Sequence, residues 1–352
     1  MKKSVLTLAV AGVLTLPVVA QADTILYGSA RVSVDYLQVE GDSSAWDVVN
    51  NDSRLGVLGS EDLGGGLSAI YQYEFGVDVT EGGNFENNRP KFVGLRGNFG
   101  TVTAGTQDTP YYNVAGIVDI FNSVNTFGND AWLGGGFDEN AGVGRGFGLI
   151  RLDNSIYYAS PDFSGFSGEA MLALDGRFND SEGFSDGVDI WNIAFKYEQG
   201  PFFAGVSYIA LNGNDNVDLG GGLNIDLDLD QWTVGLGYVG GPFSVSFVYE
   251  QGTFNQYGLF TNVRTDGARV LGGDDATNFY LAGSYTFGSN VISAAYGRLD
   301  PGTRGFDEID NYILGYQYSF SRRTSVWAEY IGRSSDDLGD LNAVSIGTRV
   351  DF

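Results

Sequence analysis

Apolar and polar residues alternate along most of this chain with a period of two. Between Ile25 and Gln38, Leu26, Ala30, Val32, Val34 and Tyr36 share one face, and Ser29, Arg31, Ser33 and Asp35 share the other. That period belongs to a β-strand with one greasy and one wet side. Trp191, Ile193, Phe195 and Tyr197 repeat it, as do Phe243, Val245, Phe247 and Tyr249, and Tyr312, Leu314, Tyr316, Tyr318 and Phe320. The last strand runs from Asn342 to Phe352, with Val344, Ile346, Val350 and Phe352 on its apolar face. Past the N-terminal segment, no stretch approaches eighteen consecutive apolar residues, so the sequence predicts no membrane-spanning helix there.

The connections between strands fall into two kinds. One kind is short and rich in Gly, Pro or Ser: Asp62–Gly66, Asn98–Gly100, Pro161–Gly165, Gln199–Pro201, Gly240–Pro242, Phe287–Asn290 and Phe320–Arg323. The other is long and acidic: Val39–Asp52, Val77–Asn88, Asp108–Gly148, Gly176–Gly187, Asn212–Leu229, Gly252–Asp275, Asp300–Glu308 and Ser334–Leu341. Short and long alternate throughout. Seven short and eight long connections imply about sixteen strands. Tight turns at one end and long loops at the other are the mark of an outer-membrane barrel, and an even strand count brings both termini to the periplasmic side. In lipid every backbone polar group must be paired internally, which a closed barrel achieves. At this strand number side chains cannot fill the interior, and an aqueous channel remains.

The fold expected is therefore all-β: a transmembrane antiparallel β-barrel of about 16 strands. Its third long connection, Asp108–Gly148, is about forty residues without strand periodicity, a length that in a compact domain points to function. It carries Asp108, Asp119, Asp130, Asp138 and Glu139. We read it as an external loop folded inward, where it narrows the channel. Tyr and Phe doublets near strand ends (Tyr111 and Tyr112, Tyr157 and Tyr158, Phe202 and Phe203, Phe279 and Tyr280) are expected to form the interfacial girdles.

Composition adds a compartment and removes some functions. Lys2 and Lys3, the apolar run from Val5 to Ala20 and the Ala20-Gln21-Ala22 site read as a secretory signal peptide over residues 1–22, leaving 23–352 as the barrel. The chain carries 19 basic and 44 acidic residues, net −25, and loss of the two lysines makes it −27. That excess excludes nucleic acid as a partner, since phosphate contacts need clustered Lys and Arg. Histidine is absent, which removes the usual general base of barrel lipases and proteases, so no enzymatic activity is expected. No catalytic residue, metal site or cofactor is expected either. Cysteine is absent as well, so stability must come from something other than disulfides, and a closed sheet is one answer.

Several segments resemble the general diffusion porins of Gram-negative bacteria: SRLGVLGSEDLGGGL at Ser53–Leu67, LYG at Leu26–Gly28, FVGLRGNFG at Phe92–Gly100, NSIYYASP at Asn154–Pro161, and the terminal Phe352. The resemblance covers the chain from its first strand to its end. It implies a sixteen-stranded barrel, three copies side by side as a homotrimer, and passive diffusion of small hydrophilic solutes. It also implies that acids of the third loop face a ladder of wall arginines, here Arg54, Arg89 and Arg145, with Arg31 adding a charge on the first strand. The loop tip reads NTFGND, so Phe127, Gly128 and Asp130 match the family pattern while Thr126 stands where many relatives have glutamate; Asp119 is positioned to compensate. Phe352 corresponds to the residue that the barrel-insertion machinery recognises.

The function expected is that of an outer-membrane porin, constricted by loop 108–148 facing wall arginines, mildly cation-selective because of the acid excess. Outer-membrane lipid and lipopolysaccharide are its expected surroundings. Two other readings are a substrate-specific porin, which would want an aromatic ladder or a dense arginine cluster in the lumen, and a surface adhesin or receptor barrel that uses only the external loops.

Overall fold

The computed structural model describes residues 23–41, 44–82, 85–86, 89–124, 151–174, 187–212, 217–218, 223–225, 228–253, 264–265, 268–269, 275–302, 307–337 and 339–352. Residues 1–22, read above as the signal segment, lie outside these.

Sixteen antiparallel staves form one closed sheet. In order they are β1 (Asp23–Val39), β2 (Arg54–Gly64), β3 (Leu67–Val77), β4 (Lys91–Gly97), β5 (Gly100–Asp108), β6 (Arg151–Ala159), β7 (Phe166–Leu174) and β8 (Val188–Gln199). They continue with β9 (Phe202–Asn212), β10 (Asp228–Gly240), β11 (Phe243–Gly252), β12 (Ala276–Phe287), β13 (Asn290–Asp300), β14 (Ile309–Ser319), β15 (Thr324–Ser334) and β16 (Leu341–Asp351). Each pairs with its neighbours in sequence, and β16 pairs with β1 from Ser29↔Asp351 to Val39↔Leu341, which closes the cylinder. Closure leaves no sheet edge, the requirement for strands in lipid.

Two staves are broken. Ala45–Asn50 pairs with Leu37 to Val32 and so continues β2 along β1, after an interruption at Asn51, Asp52 and Ser53. Phe85–Glu86 continues β4 along β3 in the same way. Asp52 has φ 59°, the left-handed region that Asp tolerates better than most residues. Two-residue segments at Val217–Asp218, Arg264–Thr265 and Ala268–Arg269, with Leu223–Ile225, pair into a small separate sheet on the long-loop side.

The expected alternation of turn lengths holds. Gly200, Gly241 and Gly288 open two-residue turns with φ of 61°, 60° and 61°, and Pro201 and Pro242 follow the first two, as primed hairpin turns allow. The two faces of each stave are chemically opposed. Leu26, Val93, Phe195, Leu236, Leu314 and Ile346 are exposed on the outside, a greasy belt suited to lipid. Ser29, Ser33, Glu74, Asn192, Ser207, Glu250 and Glu329 point inward and are buried.

The aromatic doublets correct one expectation. Successive residues of a strand face opposite ways, so a doublet cannot lie wholly in a girdle. Phe202 and Tyr158 are exposed outside, whereas Phe203 packs inside by Gly205 and Gly237 and Tyr157 joins the interior cluster. Tyr280 is fully buried inside, covering Gly297, while Phe279 packs at a tilt against Tyr296. Tyr111 and Tyr112 belong to neither face of the wall, because the chain leaves the sheet before them.

Candidate pore constriction

The chain leaves the wall at Asp108 and turns into the lumen. Thr109 caps a short helix, α1 (Pro110–Ala115), and its side chain accepts from the Tyr112 N–H at 3.0 Å. A capping Thr followed by Pro at the first helical position is a strong local start signal. A 3₁₀ turn, Gly116–Val118, follows, with Asp119 at its end.

Inward-facing side chains of the wall hold this segment stave by stave. On β7, Glu169 accepts from Asn113 Nδ2 at 3.0 Å and pairs with Lys196 of β8. Asn192 of β8 accepts from the Tyr111 N–H at 2.8 Å. The Tyr111 hydroxyl donates to Glu250 of β11 and accepts from Gln231 of β10 at 2.5 Å. Burial, reinforced by the Glu250 charge, pushes the Tyr111 phenol well above its ordinary value, so it stays a donor. On β15, Glu329 accepts from the backbone N–H groups of Asn122 and Ser123 at 2.8 and 2.9 Å. Asn122 Nδ2 also donates to Gln317 of β14 at 3.0 Å. Finally the Val124 N–H donates to Asn51 at 2.8 Å, beside the break in β2. Residues Thr109 to Val124 thus line the inner wall from β7 round to β15. Apolar contacts back these bonds: Tyr111, Ala115 and Val118 are fully buried, with Ile117, Ile120 and Phe121 packed against the same cluster.

The remaining wall carries the arginines. Arg31 of β1 is directly opposite Arg349 of β16, and Arg54 of β2 is opposite Ser29. Arg31 Nε donates to Ser29 at 3.0 Å, Ser29 donates to Asp351 at 2.7 Å, and Arg349 pairs with Asp351 at 2.9 Å. In the broken part of β4, Arg89 pairs with Asp52 at 2.5 Å and approaches Glu74 at 3.9 Å. Arg151, the first residue of β6, pairs with Asp108 at 2.5 Å and lies over the Tyr112 ring at 6.0 Å.

Asp119 faces this wall. It is partly open to the lumen. Enclosure raises its carboxyl to about 7; the negative charges of Asp52 and Glu329 add to the rise, and Arg31 and Arg54 oppose it.

Known proteins bear on this geometry. The sequence profile of the Gram-negative porins matches residues 6–337. The chain belongs to that family. A major outer membrane protein P.IB of Neisseria gonorrhoeae is 29% identical over 340 residues, covering 92% of this chain and 91% of its own. Outer membrane porin protein 32 of Delftia acidovorans is 29% identical over 362 residues, covering 99% and 93%. The structure of an anion-selective porin from Comamonas acidovorans superposes with a TM-score of 0.73 at 22% identity, covering 94% of this chain and 100% of that one. The porin resides in the Gram-negative outer membrane and forms a channel across it.

Of the porin's expected constriction residues, Arg31, Arg54 and Arg89 come together on one side of the lumen, with Asp119 across from them. Asp108 sits at the end of β5 and pairs with Arg151 on the adjoining stave. Arg145 and Asp130 lie outside the described residues. Phe352 exchanges backbone hydrogen bonds of 3.0 Å with Gly28, and its ring rests on that glycine. Arg349 and Arg151 were not singled out from sequence. Strict alternation puts Arg349 opposite Val350 and Phe352, hence inward, so a signal was there. Arg151 was hidden because β6 begins three residues before the recognisable NSIYY motif. The anchors Glu169, Glu250 and Glu329 had only their polar-face parity to mark them.

Proposed function

We propose that this porin passes small hydrophilic solutes and ions by passive diffusion, and that the passage is narrowest between the Thr109–Val124 segment and the arginine-bearing wall of β16, β1, β2, β4 and β6. The observation that carries this reading is the lumenal segment, pinned to half of the wall while the arginines occupy the other half. Opposed acid and arginine rows across a narrow gap make a transverse field, and low-dielectric walls concentrate it. Polar solutes orient in that field and keep partners as they shed water, while greasy solutes find none. Arginine suits the wall because its guanidinium keeps its charge when neighbours crowd it.

Ion preference follows from the balance of charge. Ion pairs offset Arg89, Arg151 and Arg349. With the wall charge largely offset, the −27 net charge left after loss of Lys2 and Lys3 favours cations, mildly and mainly in dilute salt. The row of arginines supports a second reading, anion preference, the property in the name of the Comamonas structure. Reversal potentials of single channels under a salt gradient decide between them. Deleting residues 110–123 tests the constriction itself: conductance rises sharply if the segment narrows the pore, and stays at wild-type level if it does not. A pure adhesin barrel would show no conductance in either form.

The remaining parts of the reading rest on the family. Residues 1–22 are a signal peptide removed during export, and Phe352 is an assembly signal for the insertion machinery. The working form is a homotrimer embedded in lipid and lipopolysaccharide, with Leu67, Ala69, Tyr71, Tyr73 and Phe75 of β3 offering an apolar outer face to a neighbour. Electrophoresis without boiling that shows only monomer counts against the trimer.

A further inference from the structure

Glycine weakens a strand interior, through its chain entropy and its lack of a side chain to pack, so each interior glycine needs a reason. Gly205 of β9, Gly235 and Gly237 of β10 and Gly315 of β14 have no turn to serve, since none has a positive φ. They share a different property, which is where they point. A Cβ at Gly205 would lie 3.0 and 3.1 Å from the two methyls of Val114 and 3.1 Å from the Phe203 ring. One at Gly235 would lie 2.7 Å from the Val114 carbonyl oxygen and 3.2 Å from Ile117 Cδ1. One at Gly315 would meet the Phe121 ring at 3.2 Å, whereas one at Gly237 would meet Phe203 of the neighbouring stave at 3.4 Å before Ile117 Cδ1 at 3.9 Å. Val114, Ile117 and Phe121 are successive contacts of the lumenal segment, one helical and two beyond the helix. Elsewhere in the wall glycines make room for rings of adjoining staves, as Gly297 does for Tyr280 and Gly347 for Trp327. At Gly235 and Gly315 the space is filled by the loop instead, and at Gly205 by the loop together with the Phe203 ring.

We propose that Gly205, Gly235 and Gly315 are positioning residues for the pore: together they form a recessed seat that lets the segment lie against the wall, and its depth sets the width left for solutes. The proposal rests on the constriction described above. Where the atom met is backbone, the loop rather than a side chain must yield. An ordinary carbon–oxygen contact is about 3.3–3.6 Å, so a methyl at Gly235 pushes α1 toward the opposite wall by about 0.6–0.9 Å. The anchors on Glu169, Glu250 and Glu329 keep the displaced segment inside the lumen, so the passage narrows.

The test is single-channel conductance of the full-length trimer in planar bilayers. Gly235→Ala and then Gly235→Leu should lower conductance stepwise. Gly205→Ala should lower it too, and Val114→Ala in the same chain should restore most of the loss, because two of the three close contacts there are the valine methyls and the third is the Phe203 ring. Gly315→Ala should likewise be relieved by Phe121→Ala. Gly168→Ala, on the outer face with its nearest neighbours at 3.7 Å, should behave as wild type. Conductance unchanged or raised in folded Gly235 and Gly205 variants overturns the seat, as does an equal fall in Gly168→Ala. If Gly235→Leu does not assemble, the Gly205/Val114 pair still decides. Deletion of residues 110–123 separates the two ideas: no rise on deletion defeats the constriction, whereas a rise on deletion with no fall in the glycine variants defeats the seat alone.

Discussion

Glu329 is the most exacting place to disturb this channel. Its two carboxylate oxygens each accept one backbone N–H of the lumenal segment, at 2.8 and 2.9 Å, and the residue is 4% exposed. Glu329→Gln keeps the shape but removes the charge and turns one acceptor into a donor, which then faces an N–H. A hydrogen bond to a charged partner is worth about 1.5–3 kcal/mol. Losing one while the other loses its charge should weaken this anchor by about 2–3 kcal/mol. At 1.4 kcal/mol per factor of ten, excursions of the Asn122–Ser123 end should become roughly 30- to 150-fold more populated. The rest of the segment stays in place, because Asn113, Tyr111 and Val124 keep their own partners. The expected record is therefore a channel of near-normal mean conductance with far more frequent flicker and a lower closing voltage. Glu329→Ala, which removes both acceptors, should flicker more than Glu329→Gln. Flicker and closing voltage within twofold of wild type in both variants, with the trimer intact, would refute the idea that this carboxylate holds the loop.

Asp119 supplies a pH dependence. With its carboxyl raised to about 7, it loses its negative charge as pH falls through that value, so cation preference should decline between pH 8 and pH 5. Asp119→Asn should abolish the change, and an unaltered pH profile in that variant removes Asp119 from the passage. Arg54→Ala takes a positive charge from the wall; at about 8 Å in water one charge is worth about 0.5 kcal/mol, enough for a twofold to fivefold move of the permeability ratio toward cations. A reversal potential that does not move places Arg54 away from the ion path. Gly28→Val would drive a side chain into the Phe352 ring at the β1–β16 seam, so folded, heat-modifiable protein should fall markedly in membrane extracts. Wild-type yield of that variant shows that the seam tolerates the ring elsewhere.

Much of this molecule is written locally. A strand has a period of two, so the alternation at Ile25–Gln38 or Tyr312–Phe320 already fixed which side chains meet lipid and which meet water. Turn chemistry fixed the short connections, and the order of short and long ones fixed the number of staves. The short helix α1 goes unread in the sequence, because the doublet Tyr111–Tyr112 looks like a strand end. What no local pattern contains is the register between distant staves and the path of a loop across open space. Arg31 and Arg349 come from opposite ends of the chain and become neighbours only because the sheet closes. Glu169, Glu250 and Glu329 look like any wet-face acid until the loop arrives to be bound. Gly235 looks like a weak point in a strand until a backbone carbonyl is seen resting against it. Period and turn are set by each residue's own stereochemistry, whereas these meetings depend on where the whole cylinder puts its far wall, and so only the tertiary structure decides them.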